Sequence, residues 1–264
     1  MKVALTGGSA GIGFEVAALL KRSGHTVHVF DIIEPHSKVD RWIQTDISSL
    51  ESINAAVEAA DGPYNALINN AGIPPRQGLA ETVLRVNFFG LRSLLSGLLA
   101  KLAPNASIVT TASLAGAQWR DNLDQIKALA ALDESTLPKF IAEQKIDATR
   151  AYNLSKEALI AMAIADTEEL LARGFRTNTV SPAATSTDIL PDFYAAFGER
   201  VTKNVTRVGR PGHAHEVAEL IVFLASEQSH WIRGQDIVID GGMSAMHQCD
   251  KLGLSSTPHL IQPS

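Results

Sequence analysis

At 264 residues and 45% hydrophobic content, the chain is long enough to bury one sizeable core without splitting into domains. Its net charge of -5 is spread without any cationic run, which argues against nucleic acid or an anionic membrane as the main partner. The single cysteine, Cys249, cannot form an internal disulfide; no apolar stretch approaches bilayer length, and the N-terminus enters a strand with no room for a signal peptide, so a cytoplasmic protein is expected.

Residues 2–6 read as a short apolar strand. Gly7, Gly8, Ser9, Ala10, Gly11, Ile12 and Gly13 follow at once, then an apolar-periodic helix through Leu20. A strand, a tight glycine turn and a helix N-terminus suit a pyrophosphate: glycines allow close backbone approach, and the unpaired N–H groups with the positive end of the helix dipole hold the charge. The next strand, 26–31, ends in Asp31, whose carboxylate can accept hydrogen bonds from a ribose diol. Such a carboxylate repels a 2′-phosphate, and the turn offers no lysine or arginine to attract one, so NAD is the expected cofactor rather than NADP.

Further strands are expected at 42–44, 66–69, 107–111, 176–181 and 236–240, and helices at 50–60, 81–102, 152–171 and 213–226. This alternation predicts an α/β Rossmann architecture, a doubly wound parallel sheet of about seven strands with helices on both faces, in one domain over 1–248. The tail, 249–264, looks loosely held. Some forty residues separate the strand ending at Thr111 from the helix opening at Tyr152. They contain helix-compatible runs at 123–132 and 137–145, which indicates a helical insertion over about 119–147. Its apolar positions, among them Leu123, Ile126, Leu129, Leu132, Leu137, Phe140 and Ile141, need burial against substrate, the domain beneath or a partner subunit.

Tyr152 and Lys156 stand at i and i+4, which stacks a phenol beside an ammonium on one helix face. One positive charge about 4 Å away at an effective dielectric of ~20 is worth up to ~4 kcal/mol, enough to bring a phenol towards neutrality. An exposed tyrosine and a solvated lysine would give the same spacing. His213 and His215 lie two apart, which suits a helix start better than a metal pair, and no metal is expected. Trp119 and Phe193 can each be a substrate-lining or a packing residue.

Taken in register, TGGSAGIG from Thr6, Asp31, Asp46, NNAG from Asn69, Asn87, Ser113, YNLSK from Tyr152, NTVSPA from Asn178 and DGG from Asp240 resemble the short-chain dehydrogenase/reductase family over nearly the whole chain. The resemblance implies a hydride transfer between a nicotinamide and an alcohol/carbonyl pair. In it Tyr152 is the general acid or base, Lys156 lowers the phenol's pKa and holds the nicotinamide ribose, Ser113 fixes the substrate oxygen, and Asn87 supports a water-linked proton path. By placing Ser113 and Tyr152 at one reacting oxygen, the resemblance implies that the insertion between them is a cap that helps define the substrate site and changes how subunits meet. It also implies cofactor contacts from Gly7, Ser9, Ala10, Gly11, Ile12 and Gly13 in the turn, Asp46 and Ile47 at the adenine, Asn69, Ala71 and Gly72 at the riboses, and Pro182, Thr185 and Thr187 at the nicotinamide. Ala183 departs from the glycine that often follows that proline. The long gap before Tyr152 and the ending WIRGQDIVIDGG are similar to the branch containing bacterial 3α-hydroxysteroid dehydrogenase/carbonyl reductase and coniferyl alcohol dehydrogenase. This implies a bulky hydrophobic secondary or allylic alcohol as substrate and a homodimer or homotetramer. A catalytically silent dinucleotide-sensing protein, or a lyase or epimerase on the same fold, are the competing readings.

Overall fold

Apolar residues run unbroken through Val3, Ala4 and Leu5 and through Ala66, Leu67 and Ile68 because both faces of the sheet are covered there. The computed structural model describes residues 1–254. Seven parallel strands lie in the order β3-β2-β1-β4-β5-β6-β9: β1 (Lys2–Thr6), β2 (Thr26–Asp31), β3 (Arg41–Gln44), β4 (Tyr64–Asn69), β5 (Leu102–Thr111), β6 (Arg176–Pro182) and β9 (Asp236–Ile239). A separate two-stranded pair, β7 (Thr185–Ser186) and β8 (Gly212–His213), sits beyond the C-terminal end of β6. The helices are α1 (Gly11–Arg22), α2 (Leu50–Ala59), α3 (Ala80–Leu84), α4 (Leu91–Leu98), α5 (Leu123–Ala130), α6 (Leu137–Glu143), α7 (Ala148–Ala165), α8 (Thr167–Ala172), α9 (Leu190–Phe197), α10 (Glu199–Val208), α11 (Ala214–Ala225) and α12 (Met243–Leu252).

Alternation along the strands divides the core into two layers. Val3, Leu5, Ala66 and Ile68 face Val16, Leu20, Val217 and Ile221 of α1 and α11. Ala4 and Leu67 face Val83, Phe88, Leu94, Leu154 and Ala158 on the other side. The chain leaves β1 in one direction towards β2 and β3, then crosses to β4 on β1's other flank. That reversal opens a crevice at the strand ends between β1 and β4, where ligands of such sheets bind.

The expected elements are present, with four differences. The run Ala80–Lys101 is long and apolar enough to cross a membrane by length and composition, contrary to the reading that no stretch approaches that size; over half of it is buried inside the domain. It is also no uniform helix, because a π-helical segment, Arg85–Gly90, lies between α3 and α4. The helix of Tyr152 starts four residues earlier, where the Asp147 carboxylate accepts from the Arg150 N–H, and it breaks before Thr167. Finally, the segment expected to be loose is helical as far as Leu252, with Asp250 paired to Arg207; residues 255–264 lie outside the described residues.

The insertion forms α5, α6 and short 3-10 turns, and its apolar face answers to the domain beneath. Ile126, Leu129, Leu137 and Phe140 are buried in the same layer as Leu154 and Ala158, while Leu123 is left exposed. Polar bonds complete the seal. The Arg150 guanidinium forks onto the buried Glu157 carboxylate at 2.9 and 2.7 Å, its Nε donates to Gln125, and Asn122 donates to Glu157.

Candidate active site

A cleft of about 1240 Å³ opens over the C-terminal ends of the strands. On its β1 side, Gly7 and Gly11 adopt φ of +65° and +52°, conformations that disfavour any side chain. Helix α1 starts with no side-chain cap, so its first N–H groups are free at the cleft, as a pyrophosphate requires. Asp31 is held against this turn: one carboxylate oxygen accepts from the Ser9 N–H at 3.0 Å, the other from the Ile33 N–H at 3.2 Å, and the Ser9 hydroxyl donates to the Ile33 carbonyl at 2.6 Å. Gly7, Ala10, Gly11, Ile12 and Asp31 line the cleft, followed by Asp46 and Ile47. Ser9 and Gly13 do not. Ser9 braces Asp31, and Gly13 is a packing position where a methyl group would strike the Gly7 carbonyl.

The NNAG stretch requires a correction. Asn69 shares a strand face with Leu67, and its side chain reaches a separate cavity of about 40 Å³ beside Phe88, Leu91 and Leu159, away from the cleft. The neighbouring Asn70 lines the cleft instead, with Ala71 and Gly72. Its amide donates to the Gly7 carbonyl at 3.0 Å and accepts from the Thr111 hydroxyl at 3.1 Å, while the Asn70 and Ala71 N–H groups both donate to the Thr6 hydroxyl. Strand periodicity held this signal: Asn69 had to follow Leu67 inward.

Asn87 is fully buried in the π-helical segment and lies behind the cleft wall. Its amide grips Ile73 from both sides, accepting from the N–H at 2.8 Å and donating to the carbonyl at 3.0 Å. A methyl group on Gly72 would lie 3.2 Å from the Asn87 amide oxygen and 3.7 Å from Lys156 Nζ, which puts the asparagine and the lysine on two sides of one small space.

Ser113, Tyr152 and Lys156 meet in the cleft. Ser113 follows β5 in an extended conformation, and its hydroxyl caps Ala115 and hydrogen-bonds with the Tyr152 phenol. Lys156 Nζ lies 5.7 Å from the centre of the Tyr152 ring and donates to the Thr111 carbonyl at 2.9 Å. Gly116 lets the backbone after Ser113 lie against Lys156, since a methyl group there would collide with the lysine carbonyl. The phenol is not lowered as the i, i+4 argument expects. Burial pushes Tyr152 up to about 12, opposed only by the Ser113 hydrogen bond, and burial brings Lys156 down to about 8. Desolvation of both groups outweighs their attraction, because the ammonium is directed at a carbonyl and not at the phenolic oxygen.

Pro182, Thr185 and Thr187 line the opposite wall, and the Thr187 side chain, just past β7, lies against Gly11 of the glycine turn. Ala183 fits there with its N–H donating to the Ile239 carbonyl. The outer wall differs from expectation. No residue of the insertion, 119–147, lines the cleft, and Trp119 is half-buried against the core. Helices α9, α10 and α12 form that wall, with Phe193 5.3 Å and Phe197 6.4 Å from the Tyr152 ring. Phe197 is a site residue that the sequence reading missed; the i, i+4 pair of phenylalanines shortly after Thr187 was its signal.

Two family models cover this arrangement: short chain dehydrogenase over residues 1–123, and enoyl-(acyl carrier protein) reductase over 136–244. A coniferyl-alcohol dehydrogenase from Pseudomonas sp. (strain HR199 / DSM 7063) is 34% identical over 251 residues, covering 93% of this chain and 97% of that protein. The chain belongs to the short-chain dehydrogenase family. It is thereby an oxidoreductase of alcohols and carbonyl compounds, in a family that binds nicotinamide dinucleotides. A 3-alpha-hydroxysteroid dehydrogenase/carbonyl reductase from Comamonas testosteroni is 26% identical, covering 92% of this dehydrogenase and 96% of its relative. Among solved structures, the 3-alpha-hydroxysteroid dehydrogenase from Pseudomonas sp. B-0831 complexed with NADH superposes with a TM-score of 0.83 at 32% identity, covering 94% of this chain and 99% of that one. An NADP-dependent (R)-specific alcohol dehydrogenase from Lentilactobacillus kefiri, 28% identical, shares the family with the other cofactor.

Proposed function

We propose that the protein is an NAD(H)-dependent dehydrogenase of bulky, largely apolar secondary or allylic alcohols and their carbonyl partners. The observation that carries this reading is the meeting of Ser113, Tyr152 and Lys156 at an apolar-walled cleft whose other end is the glycine turn with Asp31. The bound dinucleotide supplies the hydride acceptor. Ser113 and Tyr152 present two hydroxyls to one substrate oxygen, and Tyr152 takes or returns its proton. Lys156, buried beside the phenol, favours the phenolate by its charge and would hold the nicotinamide ribose. Asp31 is oriented by two backbone N–H groups to accept a 2′-hydroxyl, and among the described residues it forms no ion pair. Relatives named for coniferyl alcohol and for 3-alpha-hydroxysteroids agree with an apolar substrate.

Assembly as a homodimer or homotetramer belongs to the same proposal. It is supported by the edge strand β9, where Val238 is 41% exposed and the nearby Trp231 84%. Light scattering distinguishes these states from a monomer. The decisive test of function is a panel of cyclic, steroid, terpenoid and aryl alcohols offered with NAD, with NADH followed by absorbance. Turnover of apolar alcohols is expected. Binding of NADH without turnover of any panel member would favour the sensing protein instead.

A further inference from the structure

Helix α9 carries both rings that stand over Tyr152, yet it is weakly anchored. None of its residues is fully buried, its N-cap Ile189 makes no side-chain cap, and it ends at Gly198 with φ +55°. Among the described residues, α9 makes one ion pair. Arg76 Nε and Nη2 donate to the two carboxylate oxygens of Asp192, each at 3.0 Å. Arg76 is itself on firm ground: it follows the buried Pro74 and Pro75, and Asn87 fixes the Ile73 backbone just before them. Asp192 immediately precedes Phe193. The guanidinium fork thus ties the first turn of α9, next to Phe193, to the segment after Pro75, and two parallel hydrogen bonds constrain orientation as well as distance.

The rings form an ordered group. Phe193 is edge-on to Tyr152 at 5.3 Å and 68°, Phe197 edge-on at 6.4 Å and 68°, and the two phenylalanines lie nearly parallel at 12°. Arg200 covers the Phe197 ring at 5.2 Å. Tyr152 and Phe193 both line the cleft, so a substrate skeleton lying beside the phenol meets the Phe193 ring. A flat π-bearing substituent replaces the edge contacts it displaces, whereas a saturated ring of the same size does not.

We propose that Phe193 is a specificity-determining residue that selects alcohols bearing a planar aromatic ring joined to the reacting carbon directly or through a vinyl group, and that Arg76 is its positioning residue, acting through Asp192. The proposal rests on the alcohol dehydrogenase reading and narrows its substrate class. Nothing in it concerns hydride or proton transfer; it concerns which carbon skeleton is held against Tyr152.

The test uses Tyr152→Phe as background, loaded with NAD, because it keeps all three rings and removes the phenolic hydroxyl. Dissociation constants are measured by calorimetry for cinnamyl alcohol and for 3-cyclohexylprop-2-en-1-ol. Cinnamyl alcohol should bind about 2- to 12-fold more tightly, the range of one aromatic pair at about 1.4 kcal/mol per decade. Adding Phe193→Leu should bring the ratio close to one. In the otherwise wild-type enzyme, Arg76→Met should raise KM for cinnamyl alcohol with kcat nearly unchanged and leave the cyclohexyl analogue little affected. Exchanging the charges, Arg76→Asp with Asp192→Arg, should restore the KM, which a merely stabilising ion pair has no reason to do for one substrate and not the other. Equal affinity for the two alcohols, no binding of either, or an undiminished ratio in Phe193→Leu overturns the proposal. Failure of the wild type to oxidise any alcohol overturns the functional reading instead, and the binding ratio still decides this one.

Discussion

Replacing Lys156 by methionine should stabilise the cofactor-free protein at neutral pH while removing its activity. Burial holds the ammonium at about 8 against an ordinary value of 10.5, which at about 1.4 kcal/mol per unit is a cost of ~3 kcal/mol for keeping the charge. The sign follows from proton binding. Between about 8 and 10.5 the unfolded lysine holds its proton more tightly than the folded one, so wild-type stability rises with pH across that window; below it the full cost is present, above it none. Methionine fills similar space without a charge and forfeits the bond to the Thr111 carbonyl, worth about 1 kcal/mol. The net gain at pH 7 is then about 2 kcal/mol, or roughly 4–8 °C in melting temperature for a chain of this size. At pH 10 it should vanish. Packing and the lost hydrogen bond contribute equally at both pH values, so the difference between the two gains isolates the charge. Thermal melts of cofactor-free wild type and Lys156→Met at pH 7 and pH 10 measure it. A variant less stable than wild type at pH 7, or a gain that does not shrink at pH 10, would refute the reasoning.

Other expectations follow from the same geometry. Tyr152→Phe should reduce turnover by about a thousandfold or more while NADH titration shows nearly unchanged affinity; appreciable residual turnover would remove Tyr152 from the mechanism. Asp31→Ala should lower the preference for NAD over NADP by about tenfold, read as the ratio of kcat/KM values; an unchanged ratio would mean that the carboxylate does not read the ribose. Glu157→Gln breaks a fork whose carboxylate is 1% exposed, and it should cost about 2–4 kcal/mol in urea unfolding. A loss under about 0.5 kcal/mol would show that the pair contributes no more than a surface ion pair.

Elements with strong local signals were legible before any coordinates. The glycine turn, the carboxylate ending β2 and the alternation of apolar strands with amphipathic helices depend on neighbours close in sequence, and all seven sheet strands stand within a few residues of their expected bounds. The choice between Asn69 and Asn70 was also local, decided by strand parity. The walls of the cleft were less readable. Whether Trp119 or Phe193 reached Tyr152 depended on which of two distant segments folded over the strand ends, and both carry helical apolar patterns. The phenol's pKa was misjudged for a related reason: spacing along a helix reports that two side chains share a face, but not how much water remains around them or that Thr111, from another strand, competes for the ammonium.

The Arg150–Glu157 fork has a practical consequence for redesign. Glu157 is the residue after Lys156, and through Asn122, Gln125 and Arg150 it ties the insertion to the turn of helix that carries the lysine. Grafting a relative's shorter connection in place of this segment would therefore disturb the reaction centre from behind, even though the segment does not line the cleft. The exchangeable part of this enzyme is α9, which leans on the core with two rings and one ion pair, and libraries aimed at new substrates have most to gain there.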